Sequence, residues 1–134
     1  MKKVYYFFIV FFIVILLLFL FSLRNPILDT QVVFTEIVVN ETPGLNLDSD
    51  ALYFGQTTPG GSAKRALIFE NSYPFDVTVY FQINGSLSSL VWTRENPVKI
   101  PQNSSKDVIF HIGIPKNTTF GTYNGTITAV FKRR

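Results

Sequence analysis

Residues 76–83 read Asp76-Val77-Thr78-Val79-Tyr80-Phe81-Gln82-Ile83. Val77, Val79, Phe81 and Ile83 alternate with Asp76, Thr78, Tyr80 and Gln82, the period-two pattern of a strand with one face buried and one solvated. On the C-terminal side the pattern recurs. Asp107–Ile114 turns Val108, Phe110, Ile112 and Ile114 one way, and Tyr123–Phe131 does the same with Tyr123, Ile127, Ala129 and Phe131. Leu90–Thr93 is a shorter piece carrying Trp92, the single tryptophan. On the N-terminal side, Lys64–Glu70 places Leu67 and Phe69 on one face. Ala51–Phe54 and Leu45–Asp48 are short strand segments, and Gln31–Asn40 is rich in β-branched residues. Turn signals separate them, among them Thr42-Pro43-Gly44 and Thr57–Gly61. No amphipathic helix follows residue 24. Seven or eight short strands of this kind predict an all-β, antiparallel β-sandwich. Its expected core contains Val77, Val79, Phe81, Trp92, Phe110 and Ile112.

The other organising stretch is Val4–Leu23, VYYFFIVFFIVILLLFLFSL, which is free of charge. A helix of about 20 residues spans roughly 30 Å, the thickness of a bilayer's hydrocarbon core. A buried core helix is the competing interpretation, but a chain this short has no second helical layer to cover it. Lys2 and Lys3 precede the run and only Arg24 follows closely, so the positive-inside rule predicts a cytoplasmic N-terminus and one pass. Tyr5 and Tyr6 fall near the expected interface. A cleaved signal has a similar charge order, yet its apolar region is usually about 7–15 residues and ends at a small-residue site. Phe21-Ser22-Leu23-Arg24-Asn25-Pro26 offers no such site, which points to a retained signal anchor. Pro26 requires the helix to end at or before Asn25. The expected organisation is an anchor over 1–24, a short tether over 25–30 and the β-domain over 31–134.

The formal charge of +3 is misleading. Lys2, Lys3 and Arg24 account for all of it, and the segment from Asn25 onward is neutral overall. Nucleic-acid binding, which needs a basic patch or stripe, therefore has no electrostatic support. Lys132-Arg133-Arg134 is a small cationic tail, read as a solvated chain end before a phosphate or lipid contact. There are no cysteines, which excludes disulfides, thiolate metal sites and cysteine nucleophiles. About 105 exported residues suffice for one domain held by its core. Absence of cysteine points mildly to an archaeal or bacterial envelope.

Several short motifs resemble a known type of module. They are Leu52-Tyr53-Phe54-Gly55, Pro59-Gly60-Gly61-Ser62, Arg65-Ala66-Leu67-Ile68-Phe69-Glu70-Asn71 and Val77-Thr78-Val79. Ile100-Pro101-Gln102-Asn103-Ser104-Ser105 is similar to a P-x-x-S turn before a strand. Gly121-Thr122-Tyr123-Asn124-Gly125-Thr126-Ile127 is similar to a G-x-Y-x-G-x-I lead-in to a last strand. Together, over about residues 45–131, they resemble the Hydin-like and major-sperm-protein-like immunoglobulin-like sandwiches of archaeal and bacterial surface proteins. That resemblance implies an adhesive, structural or accessory role and no chemistry. Trp92-Thr93-Arg94-Glu95 departs from it, being longer in polar residues. Read on their own, Asn71 ends a strand where its amide can bond nearby backbone. Tyr123 can pack its ring inward while its hydroxyl reaches backbone.

Chemistry is sparse. His111, the single histidine, lies out of phase with Val108, Phe110 and Ile112 and is expected to face solvent or the second sheet's edge; with no partner ligand it suggests no zinc site. Asp48-Ser49-Asp50 beside Asn46 lacks the rest of a calcium loop and reads as an acidic turn. No nucleophile elbow, Ser-His-Asp order or paired-carboxylate cleft is indicated. The expectation is a non-enzyme with no catalytic residues, no cofactor and no metal. Five N-x-[ST] sequons stand above background, at Asn40, Asn84, Asn103, Asn117 and Asn124. All lie beyond the apolar run, as glycan-acceptor sites on an exported glycoprotein must.

The expected function is a single-pass module at the cytoplasmic membrane. Its extracytoplasmic domain would act in binding, scaffolding or adhesion, with the bilayer and a surface protein as partners. One alternative is a surface-filament subunit in which Gln31–Val39 completes a neighbour's sheet. Another is an accessory subunit packed by its helix in a membrane complex. The apolar run lacks Gly, Ala and Thr, the small residues such packing uses.

Overall fold

A computed structural model describes residues 2–22, 26–44 and 51–133. The apolar run forms one helix, α1 (Lys2–Ser22). Every side chain from Val4 to Phe21 is exposed, and this window has a mean hydropathy of 3.1 with none of it buried. By length and composition it can cross a membrane, a criterion that a signal sequence also meets.

The rest is β-structure: β1 (Ile27–Val39), β2 (Leu52–Thr57), β3 (Ser62–Asn71), β4 (Val77–Gly85), β5 (Val91–Thr93), β6 (Val98–Ile100), β7 (Ser104–Gly113) and β8 (Gly121–Arg133). One sheet has the order β2-β1-β8-β4-β6 and the other β3-β7-β5. The alternation in β4 is realised: Val77, Val79 and Phe81 are buried, while Tyr80 and Gln82 face solvent. Their inward neighbours are Ile127, Ala129 and Phe131 from β8 and Val108, Phe110 and Ile112 from β7, all buried. Phenylalanines bridge the sheets. Phe81 lies 5.0 Å from Phe69 of β3 and 5.3 Å from Phe110 of β7, centroid to centroid. Such ring pairs add packing beyond the area they bury.

The structure departs from the sequence-based expectation in four places. The domain is not wholly antiparallel, because β1 and β2 pair in parallel, Thr35 opposite Leu52 and Val39 opposite Thr57. The chain leaves β1 at Val39 and does not form a hairpin; β2 begins back at the level of Thr35, whose buried hydroxyl donates to the Leu52 carbonyl at 2.9 Å. Gly55, at φ 84°, sits where the β1/β2 register shifts, a conformation few other residues adopt. Secondly, β1 begins at Ile27 and not Gln31, so Ile27–Thr30 of the expected tether belong to the sheet. Thirdly, Trp92 is not in the core. It is 47% exposed, because neighbouring residues in a strand point to opposite faces and Val91 takes the inward position of β5. Fourthly, Leu87 in the β4–β5 turn is fully buried, which no periodicity indicated. The expected strand Leu45–Asp48 lies outside the described residues.

Backbone pairing at the β6 edge is extended by a side chain. Asn96 accepts from the Phe81 amide at 3.0 Å and donates to the Phe81 carbonyl at 2.9 Å, standing in for a strand partner just beyond Val79. Arg65 Nε donates to the Tyr53 carbonyl at 3.1 Å and ties β3 to β2 along the other side.

β1 and β8 run antiparallel over their whole lengths, from Ile27 opposite Lys132 to Val39 opposite Gly121. The domain therefore has a helix end, where Ile27, Val77, Asn71 and Arg133 gather, and a far end, where Val39, Gly85, Gly113 and Gly121 gather. At about 3.3 Å per residue the two ends of β1 are about 40 Å apart.

Candidate functional site

The five sequon asparagines are all exposed. The topology distributes them unevenly. Asn40 follows β1, Asn117 lies between β7 and β8, and Asn84 and Asn124 sit in β4 and β8, so four gather at the far end. Asn103 is alone at the helix end, where its amide donates to the Tyr73 carbonyl at 3.3 Å and its φ is 47°.

The sequons Asn84-Gly85-Ser86 and Asn124-Gly125-Thr126 are antiparallel neighbours, with Asn84 opposite Thr126 and Gly85 opposite Gly125. Ser86 Oγ donates to the Asn124 carbonyl at 2.7 Å and accepts from the Asn124 amide at 3.1 Å. The backbones approach so closely that a Cβ on Gly125 would lie 2.3 Å from the Asn84 carbonyl oxygen, and one on Gly85 2.8 Å from Gly125 Cα. The central glycines of both sequons are therefore demanded by strand packing, whatever the asparagines carry. In the third far-end sequon, Tyr123 Oη donates to the Thr119 carbonyl at 2.9 Å, and its ring packs against the core.

The helix end is closed differently. Asn71, 2% exposed, donates from Nδ2 toward the carbonyls of Phe75, Ile100 and Pro101 at 2.9–3.0 Å and accepts from the Tyr73 amide at 3.0 Å. Beside this clasp the Tyr73 and Phe75 rings stack at 5.3 Å, and the Arg133 guanidinium lies 4.3 Å from the Phe75 ring centroid. Lys99 and Lys132 flank Thr78 in one cross-strand row. Sequence reasoning placed Asn71 at a strand end with a local backbone bond. Its longer-range bonds, and the return of the cationic tail to Ile27, were not legible in it.

His111 stacks on Trp92 with centroids 5.7 Å apart and planes at 15°, on the outer face of the three-stranded sheet. Gly113 lies under the indole, where a Cβ would meet Trp92 Cη2 at 3.2 Å. Glu95, in the polar segment after Trp92, pairs with Lys106. Among the described residues no three His, Cys, Asp or Glu side chains converge on a metal-sized site. Asp48-Ser49-Asp50 and Asn46 lie outside the described residues. No known protein family, curated protein or solved structure matches the chain.

Proposed function

We propose that this chain is a single-pass, membrane-anchored module whose extracytoplasmic immunoglobulin-like domain is a binding or structural element of the cell envelope. One observation carries the proposal: α1 exposes every side chain from Val4 to Phe21, while the β-domain closes its core without it. An exposed apolar surface of that size marks a membrane or protein interaction site, and a bilayer satisfies it. Orientation with the N-terminus inside follows from Lys2 and Lys3. The immunoglobulin-like assignment is supported by Tyr123, whose hydroxyl bonds back to backbone just upstream at the start of β8, as a tyrosine corner does. It is also supported by the pairing of β8 with β4 in one sheet and of β7 with β3 and β5 in the other. Pairing of β1 along all of β8 in its own chain supports a self-contained module over strand exchange into a neighbour. Exposure of all five sequon asparagines supports a glycoprotein. The module is assigned no catalytic step.

The test is protease treatment of intact spheroplasts carrying the full chain, with intact mass measured on the untreated protein. Degradation of the β-domain, with a mass that retains residues 1–24, is expected. Protection until lysis overturns the orientation, and a mass lacking the N-terminal segment overturns the anchor. Mass in excess of the chain reports glycan load.

A further inference from the structure

We infer that the helix end of the β-domain is a lipid-headgroup contact surface, in which Lys99, Lys132 and Arg133 take the phosphates of anionic lipids. The inference rests on α1 being a membrane anchor. β8 returns the chain to its starting point, with Lys132 opposite Ile27 and Arg133 opposite Val77. Ser22 and Ile27 are five residues apart, and a residue spans at most about 3.6 Å, so Ile27 stays within about 18 Å of the helix end. The headgroup layer beyond the hydrocarbon is about 5–8 Å thick on each side. Lys132 and Arg133, paired with Ile27 and Val77, are thereby tethered within reach of the bilayer surface.

The composition of this end suits that place. Lys99 and Lys132 lie two strands apart with only Thr78 between them, about 10 Å at the usual strand spacing. Among the described residues none of Lys99, Lys132 and Arg133 is in an ion pair; Lys132 Nζ lies 5.2 Å from the Tyr80 ring centroid and the Arg133 guanidinium over Phe75. The carboxylates at this end, Asp29, Asp76 and Glu70, are exposed and keep their charge; Asp29 accepts from the Thr30 amide and Gln31 Nε2, and Asp76 from the Gln102 amide, and none of them is paired with these cations. Ile27 is exposed, and the stacked Tyr73 and Phe75 stand beside Arg133. Aromatic and cationic side chains around an exposed apolar residue are the set that settles at a membrane–water interface.

The experiment uses the full chain in lipid nanodiscs. The protein has no cysteine, so Ser72→Cys at the helix end and Ser88→Cys at the far end each accept one fluorophore. Quenching by headgroup-nitroxide lipid is read in phosphatidylcholine with and without phosphatidylglycerol. Quenching at position 72 should rise with phosphatidylglycerol, and position 88 should not respond. The combined K99Q, K132Q and R133Q variant should lose the rise, with the seated-to-lifted ratio falling about fivefold for each charge removed. Salt of about 1 M should do the same to the unsubstituted chain, which covers failure of the variant to fold. Equal quenching at both ends, or a response at position 72 indifferent to phosphatidylglycerol, charge and salt, overturns the inference. A Val10→Cys label read against acyl-chain nitroxide separates the premises. Quenching there with no lipid response at position 72 defeats this inference alone; absence of quenching there defeats the anchor and this inference with it.

Discussion

The helix end and the far end of the β-domain are closed by different chemistry. At the helix end one buried side chain, Asn71, gathers carbonyls from two loops and the end of β6, and cations crowd the surface around it. At the far end backbone meets backbone through Gly85 and Gly125, hydroxyls of Ser86 and Tyr123 tie the turns, and four of the five sequons project outward. About 40 Å separates them, several Debye lengths at physiological salt, so neither end feels the other's charge. The contrast teaches that a two-sheet domain needs no single device to close its ends. A buried amide closes the end whose surface carries Lys99, Lys132 and Arg133, and close backbone contact closes the end that carries four of the sequons.

Asn71→Ala should have the largest effect. It strands carbonyls of Phe75, Ile100 and Pro101 and the Tyr73 amide, and each buried group left unpaired costs about 1–3 kcal/mol. A loss of at least about 2 kcal/mol in urea unfolding is expected, with hydrogen exchange accelerated at Tyr73 and Asn103 before Gly125. Equal acceleration at both ends would erase the distinction.

Gly125→Ala comes next, at about 1–3 kcal/mol, because its Cβ forces β4 and β8 apart at the Asn84 carbonyl. Amide exchange should rise at Ser86 and Asn124 and stay unchanged at Tyr73. A neutral substitution would show that the far end tolerates separation and that the glycines serve the sequons alone.

Tyr123→Phe should have the smallest effect, about 1 kcal/mol, since it removes one hydroxyl and its bonds to Thr119 while keeping the buried ring. Its thermal midpoint, measured beside Tyr123→Ala, sharpens the comparison: the alanine variant should lose much more, the difference being the packing of the ring. A phenylalanine variant as unstable as the alanine one would mean that the hydroxyl, and not the ring, holds the turn.

Much of this architecture is written in local pattern. The period-two runs in β4, β7 and β8 name their own buried faces, since one face of a sheet must be apolar to pack on another. The length and apolarity of Val4–Leu23 identify α1 without any partner. Local pattern failed where geometry at a distance decides. In a strand as short as β5 a slip of one residue inverts the faces, and the run around Trp92 gives Val91 and the tryptophan equal claim to the core. The parallel β1/β2 pair was hidden because strand propensity carries no direction. The pairing of two sequons across β4 and β8 was hidden because Gly85 and Gly125 are far apart along the chain and adjacent only through register.

By itself, then, the sequence determined the apolar helix, the β-rich domain after it, the inward faces of the long strands, the absence of thiol chemistry and the number of sequons. Each depends on composition or on residues within one element, and short-range sterics and hydration act there. Tertiary structure alone decided that β1 joins β2 in parallel, that Asn71 closes the helix end, that Trp92 faces outward on His111, and that the cationic tail returns to the place where β1 begins. Those outcomes depend on which strands become neighbours, a choice made by the joint packing of two sheets around one core.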